Sequence, residues 1–498
     1  MTAEPVDDRE IARRLLAGGG RAATRRPEVR PPGVTESSTG PATVPPRAGT
    51  VGAPRPSTPA RPATRRRGPG RQFADHPAVV AALEKQAAIE QLIDTTGLPH
   101  PLFLSPEGHN GAVIHSRGRE LVNYSSYNYL ELARHPRVLR AAEDAANRYG
   151  TSASATRIVT GEIPLYGVLE QRLADIYRTG AALVCSSGFL TNAAVIGFLL
   201  GEQDLAVCDS LAHASLVAGT RWAGCRRVTF RHNDPDSLAA LLRSVRHRHD
   251  RALVVLEGHY SMDGDLGRIA ELAAVAHEYD CAVLVDEAHA LGVLGPHGLG
   301  TGEHFALPPG TVDLWVGSLS KALASTGGFV AGDADLVRAI KYAAPGLALY
   351  TAGPSPANVG AVLAALDVLA DEPDRLARLW SNALLFTDAL REHGMDLGES
   401  ESTPIVPVIV PGEIRAGYAS AALLQRGYNA GAILAPVVPA GTERLRFFLT
   451  SEHTERQLLD TVDELADILA VVNHIPDIGI GAPGTPTGLD GLPAPPRH

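Results

Sequence analysis

Lys321 is the residue of this chain that is best placed for covalent chemistry. It lies between two short apolar runs, at residues 314–316 and 329–331, in a tract of serine, glycine and alanine that holds no other charge. The pattern predicts a strand, a tight turn that carries the lysine, and a second strand. A lysine removed from water loses its proton readily and becomes an amine suited to Schiff-base formation. From the spacing alone, a buried structural lysine is an equally good interpretation.

Polar residues also follow other apolar runs, where the strands of a sheet would end. Ser187, Gly188 and Phe189 come after residues 182–185 and open a predicted helix, and Asp286 follows residues 281–285. Ligands of an open α/β sheet bind at the carboxyl ends of its strands. The N–H groups at the start of a helix form a natural cradle for an anion.

Together these groups match the needs of pyridoxal phosphate. Its phosphate would lie at the helix N-terminus, and its aldehyde would take the amine of Lys321. Asp286 would keep a proton on the pyridine nitrogen, so that the ring can act as an electron sink. His213 and residues 257–264 stand after two more apolar runs of the same series. The sequence therefore predicts this cofactor at the carboxyl edge of a sheet.

The sequence motifs of several other enzyme classes are incomplete or absent in this chain. The run Asp286-Glu287-Ala288-His289 spells a helicase box, but the chain has no Gly-Lys pair for the phosphate loop that a helicase also needs. No GxSxG nucleophile elbow and no HExxH zinc motif occurs. The run Gly298-Leu299-Gly300 lacks the third glycine and the helix of a dinucleotide-binding turn. No metal site is predicted.

The elements that must position these residues alternate between helix and strand. Helical patterns cover residues 77–93, 136–149, 165–178, 189–200, 211–223, 235–246, 268–279, 333–345, 355–393, 415–426 and 453–472. Strand-like runs lie within 101–124 and at 182–185, 205–208, 227–230, 252–256, 281–285, 405–410, 428–435 and 443–449. This alternation predicts an α/β fold with a mostly parallel sheet, covered on both faces.

The same pass along the chain predicts its division into domains. The predicted parts are a disordered Pro/Arg-rich extension at 1–72, an N-terminal helix and arm at 73–135, a large cofactor-binding domain at 136–380, a small C-terminal α+β domain at 381–473 and a flexible tail at 474–498. The extension lacks the apolar periodicity that would offset its ordering entropy.

Composition narrows the functional class. The 498 residues carry a net charge of −10, although residues 1–71 hold fourteen arginines against six acidic residues. An acidic body argues against nonspecific nucleic-acid binding. The four cysteines have no paired spacing and no signal peptide opens the chain, which predicts free thiols in a cytoplasmic protein. The most membrane-like window, residues 181–201, is broken by Ser186-Ser187-Gly188 and predicts a buried strand and helix rather than a span.

Several motifs in order give residues 121–469 a resemblance to the α-oxoamine synthases, which are fold-type I pyridoxal-phosphate enzymes. The motifs are Tyr124-Ser125-Ser126-Tyr127-Asn128-Tyr129-Leu130, Asp209 to His213 with Ala214-Ser215, Tyr260 to Gly264, Val285 to His289, Ser318 to Lys321, and Arg444-Leu445-Arg446-Phe447-Phe448 with Glu452-His453-Thr454. The resemblance implies a large domain with a mostly parallel sheet and a small C-terminal α+β domain. Residues 1–72 match no part of the family pattern.

The resemblance also implies a role for each matched residue. The implied catalytic residues are Lys321, which resembles the Schiff-base lysine, His213, stacked on the cofactor ring, and Asp286, on the ring nitrogen. His289 and Ser261 are similar to the partners of the ring hydroxyl. The residues that match phosphate contacts are Ser187, Gly188, Phe189 and Ser318, together with Thr351 from a second subunit. The residues that match substrate contacts are Arg446, Tyr127, Asn128 and Thr156.

The implied reaction is a decarboxylative condensation of an α-amino acid with an acyl thioester, which yields an α-amino ketone, CO₂ and a free thiol. The implied assembly is a homodimer with shared active sites. Glu131 departs from the family pattern, which has a glycine there, while residues 150–161, residues 301–305 and Trp315 resemble polyketide-associated members. Coenzyme A and an acyl carrier protein both stay open as the acyl donor, and the arginine-rich extension could dock an acidic carrier.

Two alternatives to this enzyme stay open, besides a carrier-protein-dependent synthase of a natural-product pathway. An aminotransferase would share the lysine, the aspartate and the fold, but would release neither CO₂ nor thiol. A regulatory subunit of a synthase heterodimer would lack the lysine, whereas Lys321 is present.

Overall fold

The computed structural model describes residues 73–475, so the predictions for residues 1–72 and 476–498 lie outside it. Its strands are β1 (Val113–Ser116), β2 (Arg119–Asn123), β3 (Ala181–Cys185), β4 (Leu205–Asp209), β5 (Arg226–Phe230), β6 (Ala252–Glu257), β7 (Ala282–Asp286), β8 (Leu314–Ser318), β9 (Gly328–Gly332), β10 (Ile405–Ile409), β11 (Tyr428–Asn429), β12 (Gly431–Ile433) and β13 (Arg444–Phe448). Its α-helices are α1 (Pro77–Thr96), α2 (Pro136–Tyr149), α3 (Pro164–Tyr177), α4 (Gly188–Leu199), α5 (Ala214–Ala223), α6 (Pro235–Val245), α7 (Ile269–Glu278), α8 (Thr301–His304), α9 (Ala334–Ala343), α10 (Pro356–Asp371), α11 (Asp374–Glu392), α12 (Glu413–Gln425) and α13 (Glu455–Val472). Within this range no helix combines the length and the apolar character needed to cross a bilayer.

Seven strands form the main sheet, in the order β3-β9-β8-β7-β6-β4-β5. Strand β9 runs antiparallel to both of its neighbours, whereas the other neighbouring pairs are parallel. The prediction of a mostly parallel sheet is therefore confirmed. Because β4, β6, β7 and β8 point the same way, their carboxyl ends meet at one edge, and Glu257 lies opposite Asp286 in the register.

Both faces of this sheet are buried. Leu253 and Val255 of β6 pack into one apolar cluster, while Val254 and Leu256, between and after them, pack into the other. Successive side chains of a strand point to opposite faces, so burial on both sides requires apolar residues at every position. This is why the inner strands read as unbroken apolar runs in the sequence. The edge strand β5 is largely exposed and begins with two arginines.

Two three-stranded sheets complete the fold. Strands β10, β13 and β12 form an antiparallel sheet, and the β1–β2 hairpin, within the range expected for short strands, is extended by β11. The single strand predicted at 428–435 is wrong. Residues 428–429 pair with β2, whereas residues 431–433 pair with β13, because the chain passes from one sheet to the other at Ala430.

The helical region predicted at 355–393 is two helices, α10 and α11. The break falls at Glu372-Pro373, where Glu372 has φ −122° and ψ 61°. Proline has no N–H for the helix and drives the residue before it out of the helical region. The predicted domain boundary between residues 380 and 381 falls inside α11, and the division into large and small domains stays a prediction.

Candidate active site

Lys321 lies in the loop between β8 and β9 and lines a cavity of about 500 Å³ at the carboxyl edge of the main sheet. The predicted strand, turn and strand are therefore present. Burial lowers the pKa of the Lys321 ammonium to about 8, although the carboxyl groups of Asp286 and Glu257 oppose the shift. Near neutral pH far more of this amine is unprotonated than in an exposed lysine, and the unprotonated form is a nucleophile and a base.

Most of the residues singled out in the sequence meet in this cavity. Besides Lys321 they are Tyr127, Ser187, Gly188, Phe189, His213, Ser261, Asp286, His289, Ser318 and Arg446. Three others lie outside it. Asn128 is buried against Glu131, Thr156 pairs with Ala352 in an isolated β-bridge, and Thr351 is half-buried beside that bridge.

The start of α4 has the form of an anion cradle. Ser187 caps the helix, and its hydroxyl accepts a hydrogen bond from the Leu190 N–H at 3.3 Å. A Cβ at Gly188 would lie 3.1 Å from the Cβ of Ser318, so a larger residue would crowd the turn that carries Lys321. The first N–H groups of a helix have no partners within it, and its dipole favours negative charge there. This end of the cavity suits a phosphate.

Asp286 is held by donors on both of its oxygens. The Asn192 side chain donates to Oδ2 at 2.6 Å, and the Ala288 N–H donates to Oδ1 at 2.9 Å. Asn192 also donates to the Ser215 hydroxyl at 2.9 Å. The carboxylate therefore has a fixed orientation in the cavity wall, as a partner for a ring nitrogen requires.

His213 is the N-cap of α5, and its contacts determine its tautomer. The Ser215 N–H donates to Nδ1 at 3.3 Å, and the Ser215 hydroxyl lies 2.7 Å from the same nitrogen. A backbone N–H can only donate, so Nδ1 carries a lone pair and the proton of the neutral ring is on Nε2. Burial, with the positive charges of Lys321 and Arg446, lowers the pKa of His213 even though Asp286 opposes this. His213 thus offers a hydrogen-bond donor, not a cation.

Arg446 approaches the cavity from β13. Its Nη1 donates to the Ser261 carbonyl at 2.9 Å, and its guanidinium lies 4.5 Å from the centre of the Phe448 ring. Its Nε–H is buried and has no partner within residues 73–475, and burial lowers the pKa of the group. A buried donor without a partner is unfavourable, and a bound carboxylate would satisfy it with a charge-assisted bond.

Four residues that the motifs did not single out as site residues support the site. Asn192, Ser215 and Glu257 line the cavity, and Tyr129 lies behind it with its hydroxyl 2.8 Å from Nδ1 of His289. Asn192 lies one helical turn after Gly188, so both residues are on the same face of α4. This spacing is the feature of the sequence from which Asn192 could be predicted as a site residue. Burial and the charge of Asp286 raise the pKa of Glu257, whose Oε1 accepts from the His213 N–H at 2.6 Å.

These residues fit pyridoxal phosphate. The cradle at Gly188 suits its phosphate, and the amine of Lys321 suits its aldehyde. The fixed carboxylate of Asp286 suits its ring nitrogen. The unsatisfied Nε–H of Arg446 leaves a donor for the carboxylate of a substrate.

Comparison with known proteins agrees with this geometry. The family model for aminotransferase class I and II matches residues 119–465. The 8-amino-7-oxononanoate synthase of Treponema denticola is 39% identical over 352 residues, which are 71% of this chain and 88% of that protein. The serine palmitoyltransferase of Sphingobacterium spiritivorum is 35% identical over 351 residues, which are 70% of this chain and 87% of that protein.

Solved structures lead to the same family. A serine palmitoyltransferase variant from S. paucimobilis with bound pyridoxal phosphate and myriocin aligns with a TM-score of 0.75 and 30% identity, over 80% of this chain and 100% of that one. The Sphingomonas wittichii serine palmitoyltransferase aligns with a TM-score of 0.74 and 28% identity, over 82% and 99%. The resemblance seen in the motifs is thereby confirmed, and the chain belongs to the α-oxoamine synthases, pyridoxal-phosphate-dependent members of the aminotransferase class I and II family.

Proposed function

We propose that this chain condenses an α-amino acid with an acyl thioester to give an α-amino ketone, CO₂ and a free thiol, with Lys321, Asp286 and His213 as the catalytic residues. One observation supports this function above all. One cavity holds Lys321, whose pKa is about 8, the anion cradle at the start of α4, the oriented carboxylate of Asp286, and Arg446, whose Nε–H has no hydrogen-bond partner within residues 73–475.

Pyridoxal phosphate, when bound, supplies an aldehyde for a primary amine and a cationic ring that accepts electron density. The Nζ of Lys321 serves twice, first as the amine that meets the aldehyde and then as the base that takes the substrate α-proton. Both tasks need a neutral amine, which its burial favours. Asp286 keeps a negative charge at the ring nitrogen, and Asn192 prevents its rotation.

Arg446 and His213 orient the two substrates. The free Nε–H of Arg446 donates a hydrogen bond to the amino-acid carboxylate, and the guanidinium packs over the ring of Phe448. His213 donates from Nε2 to the acyl carbonyl oxygen, where negative charge grows as the carbon bond forms. Because Ser215 occupies Nδ1, the ring cannot turn to present a lone pair instead.

The central test is the Lys321→Ala variant. We expect it to lose the visible absorbance of the bound cofactor and to lose about 10³–10⁴-fold in turnover. Lys85→Ala is the control, because Lys85 bonds to Glu413 outside the cavity, and it should keep both properties. An unchanged spectrum in Lys321→Ala would exclude Lys321 as the cofactor lysine.

The reaction class and the amino acid are tested together. Wild-type enzyme is mixed with glycine, alanine or serine and with an acyl thioester, and released thiol and CO₂ are measured. We expect both products with at least one amino acid. Exchange of the amino group without thiol release would indicate an aminotransferase instead.

The acyl donor is proposed to be a carrier-bound thioester, and the arginine-rich residues 1–71 are proposed to dock its acidic carrier. Deleting residues 1–70 should lower the rate with the carrier-bound donor and leave the rate with the coenzyme A thioester unchanged. Equal effects on both donors would remove the docking role.

A homodimer with shared sites is also part of the proposal. Thr351 does not line the cavity of its own chain, and the apolar side chains of Tyr350 and Val159 near it are exposed. A second copy that covers this face would bring Thr351 to the other cavity. Lys321→Ala and Thr351→Glu are each expected to be nearly inactive, and mixing them should restore activity in heterodimers. No gain on mixing would argue against shared sites.

A further inference from the structure

Glu131 combines two unfavourable features that the proposed chemistry does not use. It is not a glycine, yet its backbone has φ +53°, in the left-handed region. Its side chain is 2% exposed, and its Oε1 makes no well-aligned hydrogen bond within residues 73–475. Burial raises the pKa of this carboxyl, although His109 and the Ala112 N–H oppose the shift. Backbone strain and a poorly satisfied buried oxygen persist only where surrounding structure enforces them, often at functional sites.

The other carboxylate oxygen of Glu131 joins two segments. Oε2 accepts from the Asn128 side chain at 2.8 Å and lies 3.0 Å from Nε2 of His109. The neighbouring Ser126 hydroxyl donates to the Asn110 carbonyl at 3.0 Å. Residues 109–110 therefore hold the chain on both sides of Tyr127, and Glu131 supplies one of the two attachments.

Tyr127 is the one residue between these attachments, and its side chain enters the cavity. Its ring lies 5.9 Å from Nζ of Lys321 and meets the ring of Phe448 edge-on at 4.7 Å. Phe448 also supports the guanidinium of Arg446. A shift of the backbone at Tyr127 would thus move the packing under the arginine that is proposed to bind the amino-acid carboxylate.

We propose that Glu131 is a positioning residue. By holding the side chain of Asn128, it fixes the backbone at Tyr127 and so the contact between the rings of Tyr127 and Phe448. That contact in turn holds Arg446 in the orientation that binds the substrate carboxylate. This inference rests on the proposed function and adds a residue to the recognition of the amino acid. A glycine, which the family pattern has at this position, has no side chain that could make the attachment.

The test compares Glu131→Gly, Glu131→Gln and a surface control. Glu131→Gly removes the attachment and also relieves the left-handed backbone, so the variant should fold. We expect its KM for the amino acid to rise about tenfold, with a smaller change in kcat and the cofactor absorbance unchanged. Glu131→Gln can still accept from Asn128, and its KM should change less than about threefold.

The matched control is Glu120→Gln. Glu120 faces His115 at 3.5 Å in the β1–β2 hairpin, but its side chain is 70% exposed. It should leave KM, kcat and stability unchanged. A KM of Glu131→Gly equal to that of the wild type would overturn the positioning role.

Two further measurements separate positioning from a general structural effect. In a Tyr127→Ala background, Glu131→Gly should have no further effect on KM, whereas additive effects would overturn the proposal. In the apo-protein, hydrogen exchange of residues 124–133 should be faster in Glu131→Gly than in the wild type and the Glu120→Gln control, and equal exchange would contradict it. The exchange result does not depend on turnover. If the proposed function is wrong, the wild type releases no thiol. That outcome can be told apart from a failure of the positioning role, which would appear as equal exchange.

Discussion

Two histidines at the same edge of the main sheet have opposite protonation states. His213 follows β4 and His232 follows the adjacent parallel strand β5. His213 accepts an N–H at Nδ1, and its pKa is lowered, chiefly by burial. His232 lies with Nδ1 2.8 Å from Asp209 and Nε2 2.7 Å from Asp265. Burial alone would lower its pKa, but these two carboxylates raise it to about 10.

The difference shows that partners, not location, decide what each ring can do. His213 is neutral and presents a donor to the cavity. His232 is a cation that joins Asp209, the last residue of β4, to Asp265 in the loop after β6. Asp209 and His213 belong to one sequence motif, yet the aspartate bonds to the other histidine. The motif thus combines a residue of the site with a residue of its scaffold.

The largest difference between the two rings should appear in turnover. His213→Phe removes the Nε2 donor and should lower kcat/KM by about 10²–10³-fold, as for other donors to a developing oxyanion. Its melting temperature should fall by only a few degrees, since it loses one helix cap. If His213→Phe lowered the melting temperature as much as a His232 variant does, His213 would be a structural residue like His232, and the difference between the two histidines would be contradicted.

His232→Phe should act mainly on stability, because it leaves Asp209 and Asp265 buried without their cation. We expect the melting temperature at pH 6 to fall by about 5 °C or more. The folded pKa of about 10 lies above the ordinary value of 6.5, so the stabilisation is complete below pH 6.5 and is lost as the pH rises towards 10. The difference between wild type and variant should therefore close near pH 10. A difference that stays constant from pH 6 to 10 would mean that His232 is not charged.

A smaller effect is expected for Asn192, whose amide links Asp286 to the Ser215–His213 pair. Asn192→Ala removes a charge-assisted hydrogen bond and should lower kcat about tenfold, with a changed pH dependence of the cofactor absorbance. The control is Gln171→Ala, because Gln171 donates to Asp175 at 2.9 Å on the exposed surface. Equal results for the two variants would show that the buried link has no role.

The smallest effect is expected for Ser215→Ala. The backbone N–H of residue 215 still donates to Nδ1 of His213, so the proton stays on Nε2 and kcat should change less than about threefold. A loss as large as that of His213→Phe would mean that the hydroxyl, not the backbone, determines the tautomer.

Local patterns in the sequence were sufficient for much of the fold. The lysine between two apolar runs, the small residues that open α4 and the alternation of helices and strands depend on neighbours in the chain, and these predictions are confirmed. They failed in two places. Residues 428–435 divide between two sheets because distant strands pair with the two halves. At Pro373 the cause is local, because the proline ends one helix although the apolar pattern continues on both sides.

The sequence by itself therefore determined the order of the elements, the turn that carries Lys321, and the family, because each rests on short-range pattern or on motifs. Only the tertiary structure decided which groups are charged and which are oriented. Asn192 meets Asp286 from 94 positions away, and His213 and His232 differ only in what the fold places against their nitrogens. Desolvation and hydrogen bonding are properties of the folded surroundings, and no residue type specifies them alone.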